Sequence, residues 1–251
     1  VLDHFILDLE EKEIINYNNI VQRNDAPDSF PESVGKIKEI KRVPSTDGLT
    51  LQITPEEGEV VEIKLNKHNQ IVGYANPNVG QIGDIFLSYN NSLTSINLPN
   101  VKEIGHSFLC DNNSLTSIKL PNVEYIGNSF LSNNNSLTSI NLPNVKEIGV
   151  GFMYASNSLK SINLPNVKEI GYGFMYDNNS LTSIKLPNVE YIGNCFLYAN
   201  NSLTSIDLPM ITQIGAGFLY ANNSLTSIDL PKVVQIGAGF LCRNTLIKKV
   251  E

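Results

Sequence analysis

The chain has 251 residues, 41% of them hydrophobic, and a formal net charge of −7. It is long enough to bury a large core, and its acidic balance gives no electrostatic footprint for nucleic acid. No apolar run approaches the ~18 residues needed to span a bilayer. No secretory signal is visible, and because the chain begins at Val1 a leader removed upstream is compatible with it.

From the N-terminus, Leu2, Phe5, Ile6 and Leu9 have helical spacing, while Phe5, Leu7 and Leu9 alternate as a strand would; the first pattern predicts a helix. Residues 25–31, with two prolines and two aspartates, read as a loop. Residues 49–54 and 61–65 alternate as strands around a turn at 55–59, and residues 70–74 extend them into a meander. Residues 1–70 hold 14 acidic and 8 basic side chains, whereas 71–251 hold 11 and 10. The first segment is therefore read as an N-terminal cap or small mixed domain, and 71–251 as a separate, nearly neutral array.

From residue 71 the chain repeats every 22 residues. The first leucine recurs at 93, 115, 137, 159, 181, 203 and 225, with Ile71 and Ile247 as end variants. Glycine recurs at 83, 105, 127, 149, 171, 193, 215 and 237, and phenylalanine three residues after each. A unit this short cannot bury its apolar residues alone, so eight copies predict a stack of like coils. The expectation is one right-handed solenoid over about 71–248, closed by a short polar cap at Lys248, Lys249 and Glu251. A longer 66-residue period is also present, since 95–127 and 161–193 share one order of variants.

Within a coil, Ile118 and Leu120 point to one face of a strand, and Ser117 and Lys119 to the other. Pro121 ends the strand because it lacks a ladder donor. Val123 and Ile126 re-enter the core, and Phe130 fills it. Gly127 and its equivalents are expected to take a backbone conformation that residues with a Cβ resist. Leu131 to Ser136 read as a spacer. The Asn-Asn-Ser triplets at 90, 112, 134, 178, 200 and 222 match glycan acceptors. They read better as an inward Asn ladder that satisfies backbone groups where the chain bends.

The pattern L-x-x-I-x-L with a later Asn column is that of leucine-rich repeats. L-T-S-I-x-L-P followed by V-x-x-I-G-x-x-F resembles the bacterial BspA-like class, with Asn standing where that class often has Cys. The resemblance covers residues 71–248. It implies an α/β-type repeat: a leucine-rich-repeat solenoid of eight 22-residue coils with a concave parallel β-sheet and an N-terminal cap. It also implies a protein–protein interaction module. Similar Asn-rich arrays occur in effectors that intracellular bacterial pathogens inject into host cells, and in bacterial surface proteins. The resulting expectation is a secreted effector that binds, and by binding blocks, a protein in the host cytosol. The alternatives are a cell-surface adhesin or the recognition array of a truncated enzyme.

No catalytic constellation is visible. His4, His68 and His106 stand alone and read as solvated, and no metal or phosphate motif occurs. The reading is therefore of a non-enzyme with no cofactor and no metal. Cys110 and Cys242 share one repeat position six coils apart, roughly 29 Å at ~4.8 Å per coil, and Cys195 lies in another column. All three are expected as free thiols, suited to a reducing compartment, with Cys195 a small filler before Phe196. The partner surface is assigned to two columns. One is the strand-facing series with Lys119, Lys185, Asp207 and Asp229, which passes from mixed-basic to acidic. The other is the stripe Tyr154, Tyr176, Tyr198 and Tyr220, at a position elsewhere filled by Ser or Cys.

Overall fold

The computed structural model describes residues 37–251; the helix expected near Leu2–Leu9 and the loop at 25–31 lie outside them, as does His4. The described chain opens with four strands, β1 (Ile37–Ser45), β2 (Gly48–Pro55), β3 (Val61–Asn66) and β4 (Ile71–Ala75). They pair antiparallel in sequence order. The alternation that marked residues 49–54 and 61–65 places Leu51, Ile53, Val61, Ile63 and Leu65 inward. β1 is a strand that sequence analysis did not separate, and its Pro44 sits on the sheet edge, where a missing N–H is tolerated.

β4 belongs to both parts of the chain. One side pairs antiparallel with β3, and the other pairs parallel with Ser95–Asn97 of the next coil. Tyr74 stands where later coils have Ile, and packs edge-on against Phe86 at 5.3 Å. Asn76 stands where they have Leu. It is buried, donates from Nδ2 to the Tyr74 hydroxyl at 3.0 Å, and accepts the Asn78 N–H on Oδ1.

The array is a parallel β-solenoid of 22-residue coils, as the spacing predicts. Leu115, Ile118, Leu120, Val123, Ile126 and Phe130 are all buried, as are their counterparts through most of the stack. The phenylalanines form one continuous column, each ring lying 5.1–6.2 Å from the next and nearly parallel to it.

Each coil carries two strands where one was expected. The first, such as Ser117–Lys119, pairs with its neighbours in groups of two or three, except Ser95–Asn97, which joins the N-terminal sheet. The second, such as Tyr125–Ile126, forms the uninterrupted sheet, eight strands running from Gln81–Ile82 to Gln235–Ile236. The return to the next coil is built of turns, and no α-helix occurs among the described residues.

The return segment corrects two expectations. Leu131 is not spacer but core: it is fully buried, as are Leu109, Met153, Met175, Leu197 and Leu219. Its φ is 52°, and flanking Ser129 and Asn133 are also left-handed. This geometry sends the Ser129 and Asn133 N–H groups to Val150 O and Tyr154 O of the following coil. The Leu131 N–H goes to Phe108 O of the preceding one. A left-handed leucine costs about 1–2 kcal/mol, which full burial of its side chain, about 1.5–3 kcal/mol, offsets.

The second correction concerns Gly127. It is absent from the positive-φ residues, so backbone conformation is not its reason. A Cβ there would lie 2.7 Å from the carbonyl carbon and oxygen of Gly105, so glycine is required because successive coils touch backbone to backbone. The left-handed glycines form another column, Gly151, Gly173, Gly217 and Gly239, just before phenylalanine.

The Asn ladder takes the inward position. Asn112, Asn134, Asn178, Asn200 and Asn222 are buried, which leaves no room for a glycan. Asn134 Nδ2 donates to Leu109 O of the preceding coil at 2.8 Å and to Ser132 O at 3.0 Å. The second asparagine of each pair forms an outer ladder, in which Asn113 Oδ1 accepts the Asn135 N–H and Asn135 Oδ1 accepts that of Asn157.

Candidate protein-interaction surface

A closed coil leaves three outward surfaces: the first strand, the second strand, and the return segment. Core columns are nearly invariant along the stack, so chemical individuality lies on these surfaces.

On the first strand, the alternation that buries Ile118 turns Ser117 and Lys119 outward. Lys119, Lys185, Asp207 and Asp229 are all exposed. The register sets Lys119 beside Asn141, and aligns Asn163, Lys185 and Asp207 in successive strands. The column therefore faces outward, in register within each of these two strand groups.

On the return segment, Tyr154, Tyr176, Tyr198 and Tyr220 stack ring on ring at 5.0, 4.6 and 4.5 Å, with interplanar angles of at most 16°. Arg243 closes one end, its guanidinium 5.4 Å from the Tyr220 ring centroid. Tyr154 at the other end is 43% exposed, because the preceding coil has Ser132 in the column. Stacking covers ring faces and leaves Tyr176, Tyr198 and Tyr220 half-buried. Loss of solvation, and then the neighbouring tyrosines, raise the phenol pKa values of Tyr176 and Tyr198.

The two rows assigned from sequence are not brought together. Going round the coil, the second strand separates them in one direction and the buried Asn corner in the other. The second-strand surface was not anticipated. Its outward row reads Gln81, Glu103, Tyr125, Glu147, Glu169, Tyr191, Gln213 and Gln235, all exposed, beside isoleucines that are buried in every coil but the last, where Ile236 is exposed. Tyr125 and Tyr191 are 40% and 44% exposed, and nearby Tyr172 is 52% exposed. Tyr172 lies against Cys195, and a hydrogen bond with that thiol raises its phenol pKa. The recurrence of Tyr in E-Y-I-G at 66-residue spacing was the available signal.

One ion pair lies on the turn before this row. Lys146 Nζ lies 2.5 Å from Glu124 Oε2. That bond lowers the Glu124 pKa, to which Lys102 adds, and raises that of Lys146.

The three cysteines are unpaired. Burial, and then the Asp111 carboxylate, push the Cys110 thiol up to about 12. Cys195 has φ 57° and fills the position that glycine holds in neighbouring coils. His68 and His106 are exposed, but His106 is not merely solvated: its Nδ1 accepts the Asn128 N–H at 2.9 Å. It thus substitutes for the side-chain acceptor that Asp84 and Asn128 supply to the next coil. Among the described residues no three His, Cys, Asp or Glu are grouped to hold a metal ion, and no helix is long and apolar enough to cross a membrane.

The surfaces offer rigid aromatic edges and rows of charge, an arrangement suited to binding. Comparison with known families matches residues 69–181 and 146–251 to the BspA type leucine rich repeat region. Comparison with curated proteins finds no match. Among solved structures, a leucine-rich repeat protein from Bacteroides ovatus ATCC 8483 is similar, with 20% identity and a TM-score of 0.46. The alignment covers 71% of this chain and 56% of that one. Repeats of this class are typically non-enzymatic modules that bind proteins. The family match spans well over half of the chain, which therefore belongs to the BspA-type leucine-rich repeat family.

Proposed function

We propose that the chain is a non-catalytic bacterial module that grips a protein partner through its repeat surface, with the tyrosine stripe as anchor. The stacked rings at 4.5–5.0 Å carry this reading. Each tyrosine is held by its neighbours before a partner arrives, so little side-chain entropy remains to be lost on binding. The row from Lys119 and Lys185 to Asp207 and Asp229 is a second contact that gives the partner a direction along the stack.

In the finer reading the module is an effector delivered to a host cytosol, where its three unpaired cysteines would stay reduced. The second reading, a surface adhesin, is supported by family membership, since BspA-type repeat proteins are often surface or secreted bacterial proteins. Fractionation of expressing bacteria, with a translocation reporter on the same chain, separates the two.

The binding reading is tested by affinity capture from host lysate, then surface plasmon resonance with the captured protein. Replacing Tyr176 and Tyr198 together by Ala should weaken binding at least about tenfold, the effect of losing an interface anchor. Reversing charge at Asp207 and Asp229 should slow association and change its salt dependence. Unchanged affinity in both variants, with circular dichroism intact, would refute the assignment of these residues.

A further inference from the structure

The second-strand sheet carries a groove of about 620 Å³ across four successive coils, from Gln81 to Gly149. Its lining includes Asp84, Glu103, Tyr125, Glu147 and Asn128, and no Lys, Arg or His. The floor is bare backbone, because the column at Gly105, Gly127 and Gly149 has no side chain. A Cβ at any of the three would come within 3 Å of the coil before it, so the floor cannot be refilled.

We propose that this groove receives an extended polypeptide segment bearing Lys or Arg side chains, running along the stack and across the strands. The inference rests on the protein-binding reading but places a contact on a different surface from the tyrosine stripe. Beyond the end of the groove at Gly149 the same sheet continues the row, and the ladder aligns Tyr125, Glu147, Glu169 and Tyr191 in one register. Tyr125 and Tyr191 are three coils apart, roughly 14 Å at ~4.8 Å per coil, which matches four residues of extended chain at ~3.4 Å each. Residues i and i+4 of such a chain would meet the two rings, and its cationic side chains would meet the carboxylates between and beside them.

The charge of the groove is available to a partner. Glu147 and Glu169 have no ion-pair or hydrogen-bond partner for their carboxylates among the described residues. Glu103 accepts only the neutral Gln81 amide. Of the neighbouring lysines, Lys146 is bonded to Glu124, Lys102 also acts on it, and Lys168, next to Glu169 in sequence, forms no ion pair with it. A single metal ion does not fit, because the carboxylates are spread along the groove and are not grouped at one point. A chain segment with distributed charge does.

The test uses defined probes, a fluorescein-labelled alternating Lys-Thr peptide, its Gln-Thr counterpart, and cellohexaose, all at low ionic strength. The full chain should bind the Lys-Thr peptide and not the Gln-Thr peptide in fluorescence anisotropy. Combined Glu103→Gln, Glu147→Gln and Glu169→Gln should weaken binding at least about tenfold and flatten its salt dependence. Tyr125→Ala with Tyr191→Ala should weaken it at least about threefold without changing net charge. The control set Asp47→Asn, Glu56→Gln and Glu57→Gln, exposed acids outside both the groove and the partner-binding rows, removes the same charge elsewhere and should leave binding within about twofold.

Equal losses in the control and groove sets would reduce the effect to net charge and overturn the proposal. So would equal binding of the Gln-Thr peptide, or no binding of the Lys-Thr peptide. Binding of cellohexaose that depends on Tyr125, in place of the peptide, would make this a carbohydrate groove and also overturn it. The tyrosine stripe is untouched by these variants, so failure here leaves the Tyr176 and Tyr198 measurement to stand or fall separately.

Discussion

Replacing Phe174 by Ala tests the physical account of the stack. Phe174 is fully buried between Phe152, 5.1 Å away, and Phe196, 5.4 Å away. Losing the ring forfeits its burial, about 1.5–3 kcal/mol, and two ring pairs at about 0.5–1.5 kcal/mol each. Phe→Ala substitutions in cores typically cost about 3–5 kcal/mol. The upper half of that range is expected, because ladder bonds such as Leu197 N–H to Phe174 O fix the spacing of coils and resist collapse into the cavity. Phe240 is only half-buried and has one stacking neighbour, Phe218 at 5.6 Å. Phe240→Ala should therefore cost about 1–2 kcal/mol. Lys160→Ala, on the exposed face, should cost under ~0.5 kcal/mol. Urea unfolding followed by circular dichroism measures all three. Native-state hydrogen exchange then distinguishes loss of a few coils from loss of the whole array. Equal costs for Phe174 and Phe240, or a Lys160 cost near that of Phe174, would refute the assignment of inward and outward faces.

Two further outcomes follow from close contacts and burial. Gly127→Ala should cost about 2–3 kcal/mol, because its Cβ would overpack against Gly105. Gly173→Ala, with φ 69° but nothing nearer than 3.9 Å, should cost about 1 kcal/mol, and the reverse order in thermal melts would show that conformation, not contact, selects Gly127. Burial raises the Tyr74 phenol to about 12 from an ordinary value of 10.0. Above the unfolded pKa the unfolded chain loses this proton while the folded chain keeps it, so stability falls with pH by about 3 kcal/mol between pH 10 and 12. Tyr74→Phe should flatten that window, and an unchanged slope in pH-dependent urea melts would place the alkaline loss elsewhere.

The architecture was legible because a fixed period leaves one economical packing. Leu115, Ile118, Leu120, Val123, Ile126 and Phe130 identify themselves by recurrence, and all lie inside. Leu131 did not, although it recurs as Leu or Met. Sequence patterning assumes a helix or a strand, and a buried residue in a left-handed turn obeys neither period. Gly127 was legible as an invariant position but not for its reason. Recurrence says that a Cβ is excluded, whereas only the distance to Gly105 says whether backbone torsion or a neighbouring coil excludes it.

The outward rows of the candidate surface were legible in part, for a related cause. The row of Lys119 and Lys185 lies on a strand of three residues, long enough for alternation to separate inward Ile118 from outward Lys119. The row of Tyr125 and Tyr191 lies on strands of two residues, where no alternation can be read. Val123 and Ile126 were seen entering the core, but nothing local marked the segment between them as a sheet. What makes that surface a groove is the pairing of coils 22 residues apart, which puts bare Gly105, Gly127 and Gly149 side by side and the carboxylates of Glu103 and Glu147 along them. One coil contributes a tyrosine or a glutamate and a gap. Recognition of an extended chain needs several coils in register, so the groove is a property of the stack and has no signature in any one repeat.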